Sequence, residues 1–542
     1  MTKTFYTVVG NTYPVKDRLK AECKARWDAA KKVWTVPTKF ADRAQEIVAG
    51  IQTGRVTSTE NVQPAWSDEQ NDIFVWFANG TGNLVVQARA GTGKTTTIKQ
   101  AFSHAPESRC LYAVFNAKNA REAQAKITDG RVQIRTLHSL GFMFIRRVWS
   151  DVKPEDTVEF HRVEMVAPET PSEVVTQLVK LVGFCKNLCV GVPSIETVIE
   201  LIDVRSISVP DELETAYPPA KLAQIAIDVL RLSLERDERG RVSFNDMVWL
   251  PVAAGWVKPT FDLVVIDEAQ DMNMPQLLMA ERACTPGGRI CVVGDDRQAI
   301  YGFRGAASDG MRMMRDRLNA LTLGLTTTYR CPKAVVALAK SIVPDYSAAE
   351  AAPEGEVVET DLQTAIAGLN VGDAVLSRLN APLMSIAMGL LRRNIPTRIE
   401  GRDIGKHLCV LVEKMKAKSV PDFLAKLAKW EARQVDRAMA GSGKFKESKV
   451  EAIRDQALTL SSVAEVASSV DDIKVRIFNL FQDSDNCTRP AVVCSTVHKA
   501  KGLEWNKVCL VASTFKNTTT HEEANIYYVA ITRAKKTLVR GI

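Results

Sequence analysis

The segment LVVQARAGTGKTTT, Leu84 to Thr97, joins an apolar run to a glycine-rich turn and then to Lys94 and Thr95. Gly91 and Gly93 let successive backbone N–H groups turn inward around phosphate oxygens, and a helix opening near Lys94 adds its positive dipole end. Ala90, Gly91, Thr92, Gly93, Lys94, Thr95 and Thr96 therefore read as the wall of a nucleoside-triphosphate site. Lys94 would reach the outer phosphates, and the Thr95 hydroxyl would sit on Mg²⁺. The pattern G-x-x-x-x-G-K-[ST] is met except at its first position, Ala88. A second segment, FDLVVIDEAQD from Phe261 to Asp271, is an apolar strand ending in two carboxylates. Mg²⁺ needs a carboxylate near its water shell and hydrolysis needs a base near the γ-phosphate. Asp267 is accordingly assigned to the metal and Glu268 to the attacking water.

Such groups must be carried at strand ends. Apolar runs at Leu84–Val86, Leu111–Phe115, Val132–Arg135, Leu263–Ile266 and Ile290–Val293 are separated by helical stretches, which implies a parallel sheet with helices on both faces. Between Gly141 and Arg241 the pattern becomes helical with proline-marked joints, as an inserted subdomain would. A second series of runs, Glu356–Val358, Ala374–Ser377, Thr397–Glu400, Ala491–Cys494 and Val508–Ala512, implies a second α/β unit. It is interrupted by a helical, charged stretch from about Ile404 to Asp485.

Composition bounds the rest. The 542 residues are 46% hydrophobic and 25% charged, ordinary for a globular chain, and no apolar run approaches the ~18 residues needed to span a bilayer. No membrane partner is expected, and a cytosolic location is. The eleven cysteines are scattered and read as reduced core thiols. Of the net charge of +8, residues 1–58 hold eleven Lys/Arg against five Asp/Glu, so the basic surplus is local. That stretch reads as a small module with a strand at Phe5–Val9, a lysine-rich helix from Val15 to Arg26, and a strand at Val33–Val36. Its basic residues interleave with Trp27 and Trp34, which suits either a groove for single strands or a small core under a solvated face. A linker, Thr53 to Pro64, leads to Ser67-Asp-Glu-Gln70, an S-x-x-Q capping box.

Beyond the phosphate loop, an ordered set of motifs resembles the UvrD/Rep-like superfamily 1 helicases, with the F-box DNA helicase branch as a closer parallel. SDEQ places Gln70 as a reader of adenine. VGDDRQAIYGFRGA, Val293 to Ala306, is similar to the family's coupling motif, in which Gln298 senses the γ-phosphate and Tyr301 and Phe303 face DNA bases. TTYRCP supplies Tyr329 to stack on adenine and Arg330 to reach the γ-phosphate. STVHKAKGLEW, Ser495 to Trp505, puts Thr496 and His498 on the DNA side and Gly502 and Glu504 on the nucleotide side. YVAITRAK, Tyr528 to Lys535, carries Arg533 as an arginine finger.

The resemblance implies an α/β fold of two RecA-like P-loop NTPase domains with helical insertions, after a small α+β module at residues 1–58. The first RecA-like domain would take residues 59–140 and 242–325 around an insertion at 141–241. The second would take 326–403 and 488–542 around an insertion at 404–487. ATP and Mg²⁺ would lie in the cleft between them, and single-stranded DNA and its junctions with duplex would be the partners. Expected strand contacts are Phe115, Asn116, Thr136, His138, Tyr301, Phe303, Arg378, Asn380, Thr496 and His498, because stacking at ~1–3 kcal/mol per base is sequence-tolerant. Residues 1–58 would add a nucleic-acid contact or bind a protein.

The implied activity is ATP-dependent strand separation with 3′ to 5′ movement. A non-unwinding ATPase that clears proteins or acts as a switch remains the alternative, and RNA as the track stays open. Three departures stand out. Ala88 replaces a glycine, Thr96 stands where relatives carry a stacking arginine, and Lys499 replaces a small polar residue. The sequence ends at Ile542, soon after Arg533, so no C-terminal nuclease or partner-binding tail is expected.

Overall fold

The computed structural model describes residues 5–8, 19, 24–28, 33–37, 40–41, 44, 66–205, 207–300, 310–440, 446–482, 490–515 and 520–542. It forms two compact units, residues 1–68 and 69–542.

In the first unit, β1 (Phe5–Val8) and β2 (Arg26–Asp28) flank β3 (Val33–Pro37) in an antiparallel sheet. The helix expected to reach Arg26 stops earlier, because Arg26 opens β2 and pairs with Thr35. An antiparallel ribbon gives each central residue a cross-strand partner, and Trp27 meets Trp34 in that register. The two indole side chains lie outside the described residues. Leu19, Ala25, Val36 and Ala44 are buried.

Among the described residues the second unit holds two large parallel sheets, beside two short two-stranded pairs. The first contains β4 (Leu84–Ala88), β5 (Cys110–Val114), β6 (Val132–Thr136), β7 (Phe261–Ile266), β8 (Cys284–Gly294) and β9 (Leu321–Leu325), in the order β9-β4-β8-β7-β5-β6. The near-continuous apolar runs of β4, β5 and β7 are what a sheet covered on both faces requires. This order sets the C-terminal ends of β4, β8 and β7 side by side. Those ends lead into the phosphate loop, the Asp295–Gln298 turn and the Asp267-Glu268 pair, the usual place for ligands in such sheets.

The second sheet contains β10 (Glu356–Thr360), β11 (Ala374–Ser377), β12 (Thr397–Glu400), β13 (Phe481–Gln482), β14 (Val492–Thr496), β15 (Trp505–Val511) and β16 (Ala534–Gly541), in the order β10-β16-β15-β11-β14-β12-β13. Both sheets are parallel throughout.

Helices Val158–Val166, Ser172–Leu188, Ile195–Val204 and Pro219–Leu232 make a helical body between β6 and β7. The helix Leu137–Val148 belongs to two cores. Leu137, Leu140 and Phe144 pack under the first sheet, and Ile145 packs into the helical body. It crosses helix Phe244–Ala253 at Gly141, where a Cβ would fall 1.7 Å from the carbonyl oxygen of Met247, so only glycine permits the approach. Inside this body, fully buried Lys186 bonds Glu159 at 2.7 Å and Asp246 at 2.6 Å, and Arg162 bonds Asp246 at 2.5 Å. A second helical group, Arg402–Lys414, Val420–Ala440, Lys446–Ala464 and Val470–Leu480, lies between β12 and β13 and shares one core with the second sheet.

Candidate nucleotide site and strand contacts

The turn after β4 has the conformation its glycines predict. Gly91 and Gly93 have φ of 73° and 80°, the left-handed region that side chains avoid, and Gly93 caps the helix Lys94–Phe102. The residues after β9 share a core with the second sheet and form with it a second lobe, the first sheet and its helices being the first. At Gly91 a Cβ would lie 2.5 Å from Arg330 Cβ and from Thr328 Oγ1, so this second lobe presses directly on the loop. The Tyr329 N–H also donates to the Gly91 carbonyl at 2.9 Å.

Ala90, expected as part of the phosphate wall, has both backbone groups engaged. Its N–H donates to the Tyr528 hydroxyl at 2.9 Å, and its carbonyl accepts from the Tyr346 hydroxyl at 2.8 Å, so both backbone groups face the second lobe. Next to it, Arg89 is buried and makes a bidentate pair with Asp345, with further contacts to Asp296 at 2.6 Å and Asp295 at 3.3 Å. Thr92 is buried and bonds its hydroxyl to the Arg89 carbonyl.

Lys94 Nζ lies 2.9 Å from Glu268 Oε1, whose other oxygen accepts from Gln270 Nε2 at 2.5 Å. Gln270 Oε1 in turn accepts the Asp295 N–H at 3.1 Å, linking the carboxylate pair to the turn that carries Gln298. Gln298 Nε2 bonds Asp295 Oδ2 at 2.7 Å. Burial would lower Lys94, but Glu268, Asp267 and Asp295 outweigh it and hold its ammonium above the ordinary range. Burial likewise opposes the charge of Glu268, and Lys94 and Lys501 overcome it, bringing that carboxyl down to about 2. Asp267 moves the other way, raised by burial and by the neighbouring Glu268. Two adjacent carboxylates are thus driven apart, the pattern of groups with different roles.

From the second lobe, Arg533 is 1% exposed and donates to the carbonyls of Val529 and Leu503 and to Thr532 Oγ1. It has no ion pair among the described residues. Burial, and then the charge of Arg330, bring its guanidinium down to about 10. Arg330 pairs with Glu504 at 2.5 Å. Such a cationic cluster fits a polyphosphate: two guanidiniums, Lys94 and a glycine turn are a donor set for an anion. Thr95 and Asp267 offer the oxygen donors that Mg²⁺ prefers. Buried Gln70 bonds Thr97 Oγ1 at 2.9 Å, Thr96 and Tyr329 are exposed, and Gly502 has φ of 86°.

The expected strand contacts fall into two groups. Phe115 and Asn116 follow β5, and Thr136 and His138 lie at the end of neighbouring β6. Phe115 is half-buried against the core, while Asn116 and Thr136 cap helices by accepting from Asn119 and Ser139. Burial alone lowers the His138 imidazole. In the second lobe, Arg378, Asn380, Thr496 and His498 line one cavity of about 590 Å³ with Asp455 and Lys499. Arg378 is engaged there by Glu523 at 2.9 Å, and Asn380 Nδ2 by Asp455 at 2.9 Å. Lys499 lies 3.4 Å from Asp403. Tyr301 and Phe303 lie outside the described residues.

A family model described as the UvrD/REP helicase N-terminal domain matches residues 66–319, and one described as the UvrD-like helicase C-terminal domain matches residues 411–540. The chain belongs to the UvrD/REP helicase family. Within the family match fall Gln70, Lys94, Asp267, Glu268 and Gln298 in the first stretch and Thr496, Glu504 and Arg533 in the second, whereas Tyr329, Arg330, Arg378 and Asn380 lie between them. Similar UvrD-type proteins include DNA helicase II of Haemophilus influenzae, 24% identical over 59% of this chain and 49% of that protein. The ATP-dependent DNA helicase PcrA of Staphylococcus aureus is 22% identical over 51% of this chain and 39% of its own length. F-box DNA helicase protein 1 of Schizosaccharomyces pombe is 23% identical over 87% of this chain and 57% of its own. The chain thus spans well under two thirds of each of these relatives.

Arg89, Tyr112, Tyr346, Tyr528 and the buried Lys501–Asp271 pair at 2.6 Å are absent from the residues singled out by sequence. Arg89, Asp271, Lys501 and Tyr528 each had a signal in their place inside LVVQARAGTGKTTT, FDLVVIDEAQD, STVHKAKGLEW and YVAITRAK.

Proposed function

We propose that the chain is an ATP- and Mg²⁺-dependent motor that moves 3′ to 5′ along single-stranded DNA and parts duplex at its junctions. The observation that carries this is the convergence of two lobes on one loop. Lys94 and Glu268 come from the first, and Arg533, buried among carbonyls, comes with Arg330 from the second. Residues 59–140 and 242–325 would form one motor domain, 326–403 and 488–542 the other, with insertions at 141–241 and 404–487.

Bound ATP with Mg²⁺ would supply the phosphoanhydride whose hydrolysis drives the cycle. Gly91, Thr92, Gly93 and Lys94 would hold its phosphates, Thr95 and Asp267 the cation, and Gln70, Thr96, Tyr329, Gly502 and Glu504 the rest of the nucleotide's surroundings. Gln298 would sense the terminal phosphate. Lys94 is shared: when its ammonium turns to a phosphate it leaves Glu268, and a carboxylate freed of that charge is the stronger base for water. Arg330 and Arg533 neutralise charge on the γ-phosphoryl group only with the cleft closed, so each turnover closes and reopens it. Phe115, Asn116, Thr136 and His138 on one lobe, with Arg378, Asn380, Thr496 and His498 on the other, would then alternate their grip on the strand, Tyr301 and Phe303 adding base contacts. Residues 1–58 would add a nucleic-acid or protein contact.

Strand displacement on duplexes with a 3′ or a 5′ single-stranded tail, beside Lys94→Ala, tests the proposal. Displacement from the 3′ tail alone, lost in the variant, is expected. DNA-stimulated hydrolysis without displacement from either tail would replace the helicase by a translocating switch.

A further inference from the structure

Tyr112 lies on β5, next to the strand that delivers the carboxylate pair. It is 1% exposed, and its hydroxyl donates to Asp267 Oδ2 at 2.5 Å. The other oxygen, Oδ1, accepts the Glu268 N–H at 2.9 Å, and the Asp267 N–H donates to the carbonyl of Ala113, the residue after Tyr112. Main chain and side chain of Asp267 are therefore both tied to β5. The phenol ring stands edge-on to Phe102, with centroids 5.8 Å apart, and Phe102 is edge-on to Phe77 at 5.9 Å. A ring packed in this way has little freedom to swing its oxygen elsewhere.

The core does not need that oxygen. Phenylalanine would fill the same space in a strand whose neighbours are apolar, and a buried hydroxyl is costly unless it has a partner. Among the described residues, the hydrogen-bond partner of that hydroxyl is the carboxylate assigned to the cation. We infer that Tyr112 is a positioning residue that fixes the Asp267 carboxylate in the orientation that receives Mg²⁺. With one lone pair on each oxygen occupied, by Tyr112 and by the Glu268 amide, the rotamer is locked and the remaining lone pairs keep a constant direction. Outer groups that orient a metal carboxylate in this way are worth about 10–100-fold in metal affinity. The inference rests on the reading of Asp267 as the cation's carboxylate.

The test uses the full chain and Tyr112→Phe, with free Mn²⁺ followed by electron paramagnetic resonance at saturating ADP and ADP affinity measured separately in EDTA. Tyr112→Phe should weaken ADP-dependent Mn²⁺ binding about tenfold or more while leaving metal-free ADP affinity unchanged. The Mg²⁺ concentration for half-maximal hydrolysis should rise with kcat recovered at saturating metal. In an Asp267→Ala background the same substitution should add nothing. Equal Mn²⁺ affinity in Tyr112→Phe and wild type, a parallel loss of metal-free ADP binding, or an additive loss in the Asp267→Ala background would each overturn the inference. If the wild-type chain itself bound no Mn²⁺ with ADP, the reading of the site would fail first, an outcome distinct from the other three.

Discussion

The backbone N–H of Ala90 donates to the hydroxyl of Tyr528 at 2.9 Å, so the phosphate loop of the first lobe is held by a helix of the second. Tyr528 sits one helical turn and one residue before Arg533, which returns to the Val529 carbonyl. The same short segment thus holds the loop and carries the arginine, and their separation is set by covalent structure. Replacing Arg533 by alanine should lower kcat by about 10³ or more while nucleotide affinity stays near wild type. Steady-state hydrolysis and equilibrium binding of ADP, measured side by side, check this. A variant that hydrolyses ATP normally would remove Arg533 from the chemistry.

Lys94 and Glu268 form one ion pair with two separable functions. Glu268→Gln should keep nucleotide binding and lose about 10²–10⁴ in kcat, as expected for a lost general base. Lys94→Ala should lose binding and hydrolysis together. Isothermal titration beside hydrolysis assays distinguishes the two patterns, and identical losses in both variants would contradict the division of roles.

Arg89 and Asp345 contribute unequally although they pair with each other. Arg89 is 4% exposed and also faces Asp295, which is fully buried, whereas the Asp345 side chain is 48% exposed. Arg89→Met should destabilise the chain by about 3–5 kcal/mol because it strips a buried carboxylate of its nearest counter-charge. Asp345→Asn should cost about 1 kcal/mol or less. Urea unfolding of both variants provides the comparison, and similar losses would refute it.

His138 has its imidazole lowered below the ordinary 6.5 by burial. The folded chain therefore favours the neutral ring. The corresponding stability is present above pH 6.5 and is lost as the pH falls through the lower folded value. On acidification from pH 7.5 to 5.5, the melting temperature of the wild type should fall further than that of His138→Gln. Parallel curves would show that the ring titrates as it does in the unfolded chain.

The strands that deliver the chemistry were legible because each is an apolar run ended by a special group, as in Val264–Ile266 before Asp267 or Val85–Val86 before the glycine turn. The strands that escaped lack that contrast. Leu321–Leu325 is an edge strand with Thr322 and Gly324 interleaved, and Ala534–Gly541 carries Lys535, Lys536 and Thr537 before its apolar part. The helix projected through Arg26 failed for a related reason, since a three-residue strand is too short to show a period of two. Contacts between distant segments were illegible by nature. Arg89 finds Asp345 across 256 residues, and Tyr112 finds Asp267 across 155, so each looks from its own surroundings like a loop cation or a core aromatic.

The helix Leu137–Val148, with one end under the first sheet and the other in the helical body, bears on how that body can be handled as a unit. Excising the body would leave Ile145, Met247 and Trp249 facing water on helices the sheet retains. Gly141 would keep the Met247 carbonyl that requires it to be glycine, because both helices of that crossing stay behind. The body is therefore no detachable cassette: a graft from a relative would have to bring both flanking helices with it, and a deletion would have to repaint their newly bare faces with polar side chains.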